Sequence, residues 1–253
     1  MEIPTTAPGV PSAAEAANPS PFGRVVAIFT SPARAWTGLA TRPQWWLPLV
    51  VMVLCNIAFT LTLHERAIIP MITAQWDQMV DSGQMPAERV EQMTAFFRSP
   101  AGMAMSVGQQ VIVWPIVMLI LGVGISFGVG FVLGNRMPFR LAFEVANWAS
   151  LVLIPSYAIT WVLAWMKESL RGIHLGLGAL VPMSEPPEKI QIGLASLLDA
   201  IGPFNLWFLA VAVLGASALT GAPRKSVAWV LGGLFVALSI FMSALAFLFA
   251  PGS

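Results

Sequence analysis

The feature that most constrains this chain is a set of apolar runs too long for a water-facing domain to bury. From Leu47 to Thr62, and again from Val227 to Phe249, no residue is charged. At about 1.5 Å per residue, some 20 helical residues cover the roughly 30 Å hydrocarbon core of a bilayer. Charged residues make up 10% of the 253 and hydrophobic ones 57%, whereas a soluble domain carries about 25% charged residues. The expected fold is all-α: a polytopic membrane helical bundle of about five transmembrane helices plus amphipathic interfacial helices.

Five spans are expected, at about 44–63, 106–133, 143–165, 204–220 and 227–249. Span one opens on Trp45 and Trp46, residues that favour the headgroup level, and ends at His64, Glu65 and Arg66. Span two carries Pro115, which removes one backbone donor, and small residues at Gly124, Gly128, Gly130 and Gly134. Two small-xxx-small pairs favour close helix approach in lipid, so these glycines are expected to pack helices inside one bundle. Span three is the most polar, with Glu144, Asn147, Ser150, Ser156 and Tyr157 around Pro155. Trp161, Trp165, Trp207 and Trp229 also fall near span ends and read as an aromatic belt.

Between the spans lie stretches of a different kind. Residues 1–21 are rich in Pro, Ala and Ser, lack the pattern of a secretory signal, and read as a disordered tail. Residues 22–42 place Phe22, Val25, Val26, Phe29 and Ala33 on one helical face and Arg24, Arg34 and Arg42 on another. That pattern suits an amphipathic helix, either in the membrane interface or packed on the bundle. Ile68, Ile69, Ile72, Trp76 and Val80, then Val90, Met93 and Phe97, make an amphipathic helical hairpin broken at Ser82-Gly83. Ile190, Leu194, Leu197, Leu198 and Ile201 form a further apolar face, with Asp199 off it.

Five spans put the termini on opposite sides. Basic residues divide seven to six between the sides, but the two short turns, 134–142 and 221–226, hold Arg136, Arg140, Arg224 and Lys225 against span ends with no carboxylate. Basic residues close to span ends mark the cytoplasmic side, so the N-terminus is expected in the cytoplasm and the C-terminus outside.

Little in the chain suggests catalysis. The single cysteine and two distant histidines give no metal-ligand spacing, and no phosphate-binding loop or dinucleotide fingerprint is present, so no metal or cofactor is expected. A net charge of +1 offers no argument for nucleic acid. Gly215-Ala-Ser217-Ala218 is reminiscent of the nucleophile motif of rhomboid-type proteases, but no histidine follows Ser217 to serve as its base. No residue is therefore expected to be catalytic. The one candidate polar site within the membrane is Arg140, Glu144, Asn147, Ser150 and Tyr157, with Arg140 and Glu144 at ion-pair spacing where span three begins.

The order of parts resembles a known family. Phe29-Thr-Ser-Pro32, then Arg42-Pro-Gln-Trp-Trp-Leu-Pro48, then Pro138-Phe-Arg-Leu-Ala-Phe143 with Leu153-Ile-Pro155, and last Leu198-Asp199 with Phe204-Asn-Leu-Trp207 are similar to bacterial members of the Yip-one family. The resemblance covers roughly residues 22–250. It implies five spans and a cytoplasmic N-terminus. Eukaryotic relatives interact with Rab-type GTPases in vesicle traffic; for a bacterial relative, in the inner membrane, that partner would be missing. The expectation is a non-enzymatic protein that organises membrane or binds other membrane proteins. The rival is a small transporter or permease component using the polar residues of span three.

Overall fold

The computed structural model describes residues 19–184 and 187–250, so most of the stretch expected as a disordered tail (1–21) lies outside the described residues. Every regular element among the described residues is helical. Five helices are long and apolar enough to cross a membrane: Trp46–Asp81, Pro100–Val132, Phe139–Lys167, Pro203–Thr220 and Arg224–Phe249.

The first element, α1 (Pro21–Thr30), starts where Ser20 Oγ accepts from Gly23 N at 3.0 Å and Pro21 takes the first helical position. It is helical only to Thr30; residues 31–42, expected to continue the same helix, run as turns. The face it buries also differs from the apolar one in the sequence pattern. Arg24 and Ile28 point inward, while Phe22 is 77% exposed. Ala35, Trp36 and Leu39 in the following turns are also buried.

Span one, α2 (Trp46–Leu63), does not stop at its charged end. A π-helical turn, His64–Ile68, carries it into α3 (Ile69–Asp81), so the amphipathic hairpin begins as a continuation of the span. Gly83, at φ 71°, turns the chain into α4 (Ala87–Arg98). His64 Nε2 lies 2.8 Å from the Phe97 carbonyl and Trp76 packs on Phe97, which fixes the hairpin to the end of span one.

Span two, α5 (Pro100–Ile125), runs past Pro115 and ends in a π-helical segment, Ser126–Val132. Gly124 and Gly128 lie against span five: a Cβ on Gly124 would sit 2.8 Å from Leu234, and one on Gly128 2.9 Å from Val230. Gly130 and Gly134 do not form a second packing pair. Gly130 has only ordinary contacts, and Gly134 lies beyond the helix at φ 67°, where it serves the turn into span three.

Span three is split. α6 (Phe139–Ser150) passes through a 3₁₀ turn, Leu151–Leu153, into α7 (Ile154–Lys167). Pro155 lies in the first turn of α7, where its missing N–H leaves no helical bond unmade. After a second 3₁₀ turn at Leu177–Leu180 comes α8 (Lys189–Asp199), opened by a reciprocal capping box between Glu188 and Gln191. It packs along α10 (Arg224–Phe249) through Gly193, which lies against Phe247, and Ser243 Oγ donates to the Gly193 carbonyl at 2.7 Å. Ile190 and Leu194 face outward, 65% and 46% exposed, as suits a helix flanking lipid rather than a water-soluble core. Span four, α9 (Pro203–Thr220), ends at Gly221 in the left-handed conformation. One main core joins the 21–42 segment to α2, α5, α6, α9 and α10.

Candidate functional site

The most polar part of the interior lies where the 21–42 segment meets span three. In α6 all of the last ten residues, Leu141 to Ser150, are buried, which no other helix among the described residues matches. Glu144 is fully buried among them. Its Oε1 accepts from the Gln44 backbone N–H at 2.7 Å and its Oε2 from Trp148 Nε1 at 3.2 Å. The carboxylate thus ties the entry of span one to span three.

Arg24 enters the same pocket from α1. Its Nε donates to Gln44 Oε1 at 3.2 Å, its Nη2 to the Thr37 carbonyl at 2.9 Å, and its Nη1 to the Ala35 carbonyl. The guanidinium lies 5.5 Å from the centre of the Trp148 ring, a cation–π contact. A buried charge is tolerated when it is paired and hydrogen-bonded, and here one guanidinium satisfies the carbonyls of a stretch with no helix of its own.

The depth of this contact is set by span three. At about 1.5 Å per residue, Trp148 lies about 14 Å along the helix from its start at Phe139. Phe29 packs edge-on against Trp207, at 5.7 Å between ring centres, and Trp207 is close to the opposite end of span four. Trp36 then returns beside Gly215, where an added Cβ would stand 2.7 Å from the indole. Residues 21–42 therefore dip into the bundle and come back. Irregular backbone at such a depth is tolerated where protein surrounds it.

The five residues grouped by sequence do not form one site. Arg140 makes no ion pair with Glu144; the pairs found among the described residues are Arg66–Glu168, Arg98–Glu65 and His174–Asp199. Its guanidinium donates instead to the Leu39 carbonyl at 3.3 Å and the Ala40 carbonyl at 2.5 Å, holding the return leg of the re-entrant segment. Helical spacing permitted the pair, but carbonyls left bare by the turn at 39–40 offered nearer acceptors. Asn147 Nδ2 donates to the Phe143 carbonyl at 2.8 Å and Ser150 Oγ to the Asn147 carbonyl at 2.7 Å, both within their own helix. Asn147 Oδ1 is buried without a partner. Tyr157 stands apart, between Phe59 and Trp114 with Asn56 beside it.

Arg24 and Gln44 complete the site, and sequence reasoning did not assign them to it. The sequence pattern groups Arg24 with Arg34 and Arg42 on a basic face; the signal that points to burial instead is its spacing of four from Ile28, with which it shares the buried face. Ser217 Oγ donates to the Ala222 carbonyl at 2.7 Å, so the serine of the protease-like motif closes the end of α9, and Gly215 seats Trp36.

A family model described as Yip1 domain matches residues 26–246, most of the chain, taking in the first four spans and most of the fifth. No curated protein and no solved structure matches.

Proposed function

Because this chain belongs to the Yip1 domain family, a family of multi-pass membrane proteins, we propose that it is a non-enzymatic organiser of the bilayer, engaging anionic lipid and membrane partners at its N-terminal end. The observation that carries this reading is the charge of that end. Arg42, Arg136, Arg140, Arg224 and Lys225 are exposed there, and the one carboxylate among the described residues of that end, Glu144, is buried. Each Lys or Arg near an anionic surface contributes about 1 kcal/mol. Trp229, 75% exposed, and Phe131, 77% exposed, lie within two turns of those charges, where apolar rings enter the headgroup boundary. On this reading the N-terminus is cytoplasmic, since basic residues close to span ends mark that side, and the resemblance to bacterial relatives supports the inner membrane.

The test compares the protein in nanodiscs of mixed zwitterionic and anionic lipid, reading the anionic fraction retained around it by native mass spectrometry. Enrichment that falls in an R136Q/R224Q/K225Q variant supports the reading; equal retention in both proteins refutes it. A second reading, a solute path along span three, draws on the unpartnered Asn147 Oδ1 and the 3₁₀ break at Leu151–Leu153. Solute flux in liposomes that an Asn147→Leu variant abolishes would favour this one instead.

A further inference from the structure

Beyond the far end of span one, α3 and α4 lie side by side, and an open groove of about 660 Å³ runs between them. The helix through α2 and α3 has 36 residues and is therefore about 54 Å long, well over the roughly 30 Å hydrocarbon core. The groove thus projects into water on the side away from the basic turns.

Val80, Ala87, Val90 and Ala95 give it apolar walls. Asp77 and Asp81 stand one turn apart on α3, and Glu91 faces the groove from α4. All three acids are exposed. Arg98 is the one cation lining the groove, and its Nε lies 3.8 Å from Glu65 Oε2, so its charge is already shared outside. Arg89, the other cation of α4, does not line it.

We propose that this groove docks a basic amphipathic helix of a partner protein. A helix laid between two helices presents an apolar stripe at i, i+3, i+4 and i+7 to the walls. Lysines or arginines flanking that stripe would meet Asp77 and Asp81 on one side and Glu91 on the other. An anionic headgroup or an acidic segment is repelled by the same three carboxylates, so the occupant is a protein element and not lipid. The proposal concerns the opposite end of the molecule from the lipid reading and stands or falls separately from it.

The experiment uses the full chain in nanodiscs of zwitterionic lipid and a fluorescein-labelled Leu/Lys amphipathic helix of about 18 residues, followed by anisotropy against empty nanodiscs. Saturable binding is expected, weakened at least about tenfold in D77N/D81N/E91Q, because close charge pairs across an interface carry couplings of that size or more. A peptide with Glu in place of Lys should not bind. Three outcomes overturn the proposal: undiminished binding by the triple variant, equal binding of the Glu peptide, or no saturable binding at all. Spermidine that binds through the same carboxylates and displaces the peptide at similar affinity also overturns it, marking a site for small cations.

Discussion

Replacing Glu144 tests the re-entrant segment most sharply. In Glu144→Ala, the Gln44 N–H and the Trp148 indole N–H lose their acceptor, and each donor left unsatisfied costs about 1–3 kcal/mol when buried. Arg24 loses a nearby carboxylate but keeps its own hydrogen bonds to Gln44, Ala35 and Thr37. The two losses share one carboxylate and do not add fully, so the expected loss is about 2–4 kcal/mol, against a total of about 5–15 for a folded domain. Glu144→Gln keeps an oxygen for the Gln44 N–H but turns its amide NH2 toward the Trp148 indole N–H, so it should cost about half as much. The assay is reversible unfolding in mixed micelles with increasing SDS, with the rate of tryptic cleavage at Arg34 as a local readout. Arg24→Met combined with Glu144→Gln should show a coupling of at least about 1 kcal/mol. If Glu144→Ala costs under about 1 kcal/mol and the two substitutions are additive, the clamp does not hold the segment.

Other substitutions probe the packing. Gly215→Val should cost about 1–3 kcal/mol by overpacking against Trp36, and should raise cleavage at Arg34 in the same digest. Gly124→Val should lower stability similarly through Leu234, whereas Gly130→Ala, with no neighbour closer than 3.5 Å, should change it by less than about 0.5 kcal/mol in the same SDS titration. Asp199→Ala removes the acceptor that His174 Nδ1 meets at 2.5 Å. Both side chains are partly exposed, so the cost is about 1 kcal/mol, and hydrogen exchange should rise first over residues 173–180.

Spans were legible because their signal is cumulative: a run such as Val227 to Phe249 needs no partner to declare itself. Residues 21–42 were not, because their pattern was that of a surface helix. Phe22, Val25 and Val26 suggested an apolar face, yet Arg24 and Ile28 are the residues turned inward. A buried arginine is specified by carbonyls at Ala35 and Thr37, which only the tertiary path supplies. The same holds for Arg140 and Glu144. Their spacing of four was legible, but their choice of the Leu39 and Ala40 carbonyls on one hand and the Gln44 N–H on the other was not. Family phrases turn out to be contact points: Phe29 meets Trp207, Gln44 meets Glu144, and Asp199 meets His174. Their order along the chain could be read, while their meetings across the bundle required the fold.

The central claim is five crossings with the re-entrant segment returning to the side it left. Single cysteines introduced into a Cys55→Ser background, at Thr41→Cys, Arg136→Cys, Lys225→Cys, Ser82→Cys and Lys167→Cys, test it with a membrane-impermeant maleimide on right-side-out and inverted vesicles. The account predicts that positions 41, 136 and 225 label together from one face and positions 82 and 167 from the other. Labelling of position 41, 136 or 225 from the face that exposes position 82 would contradict it.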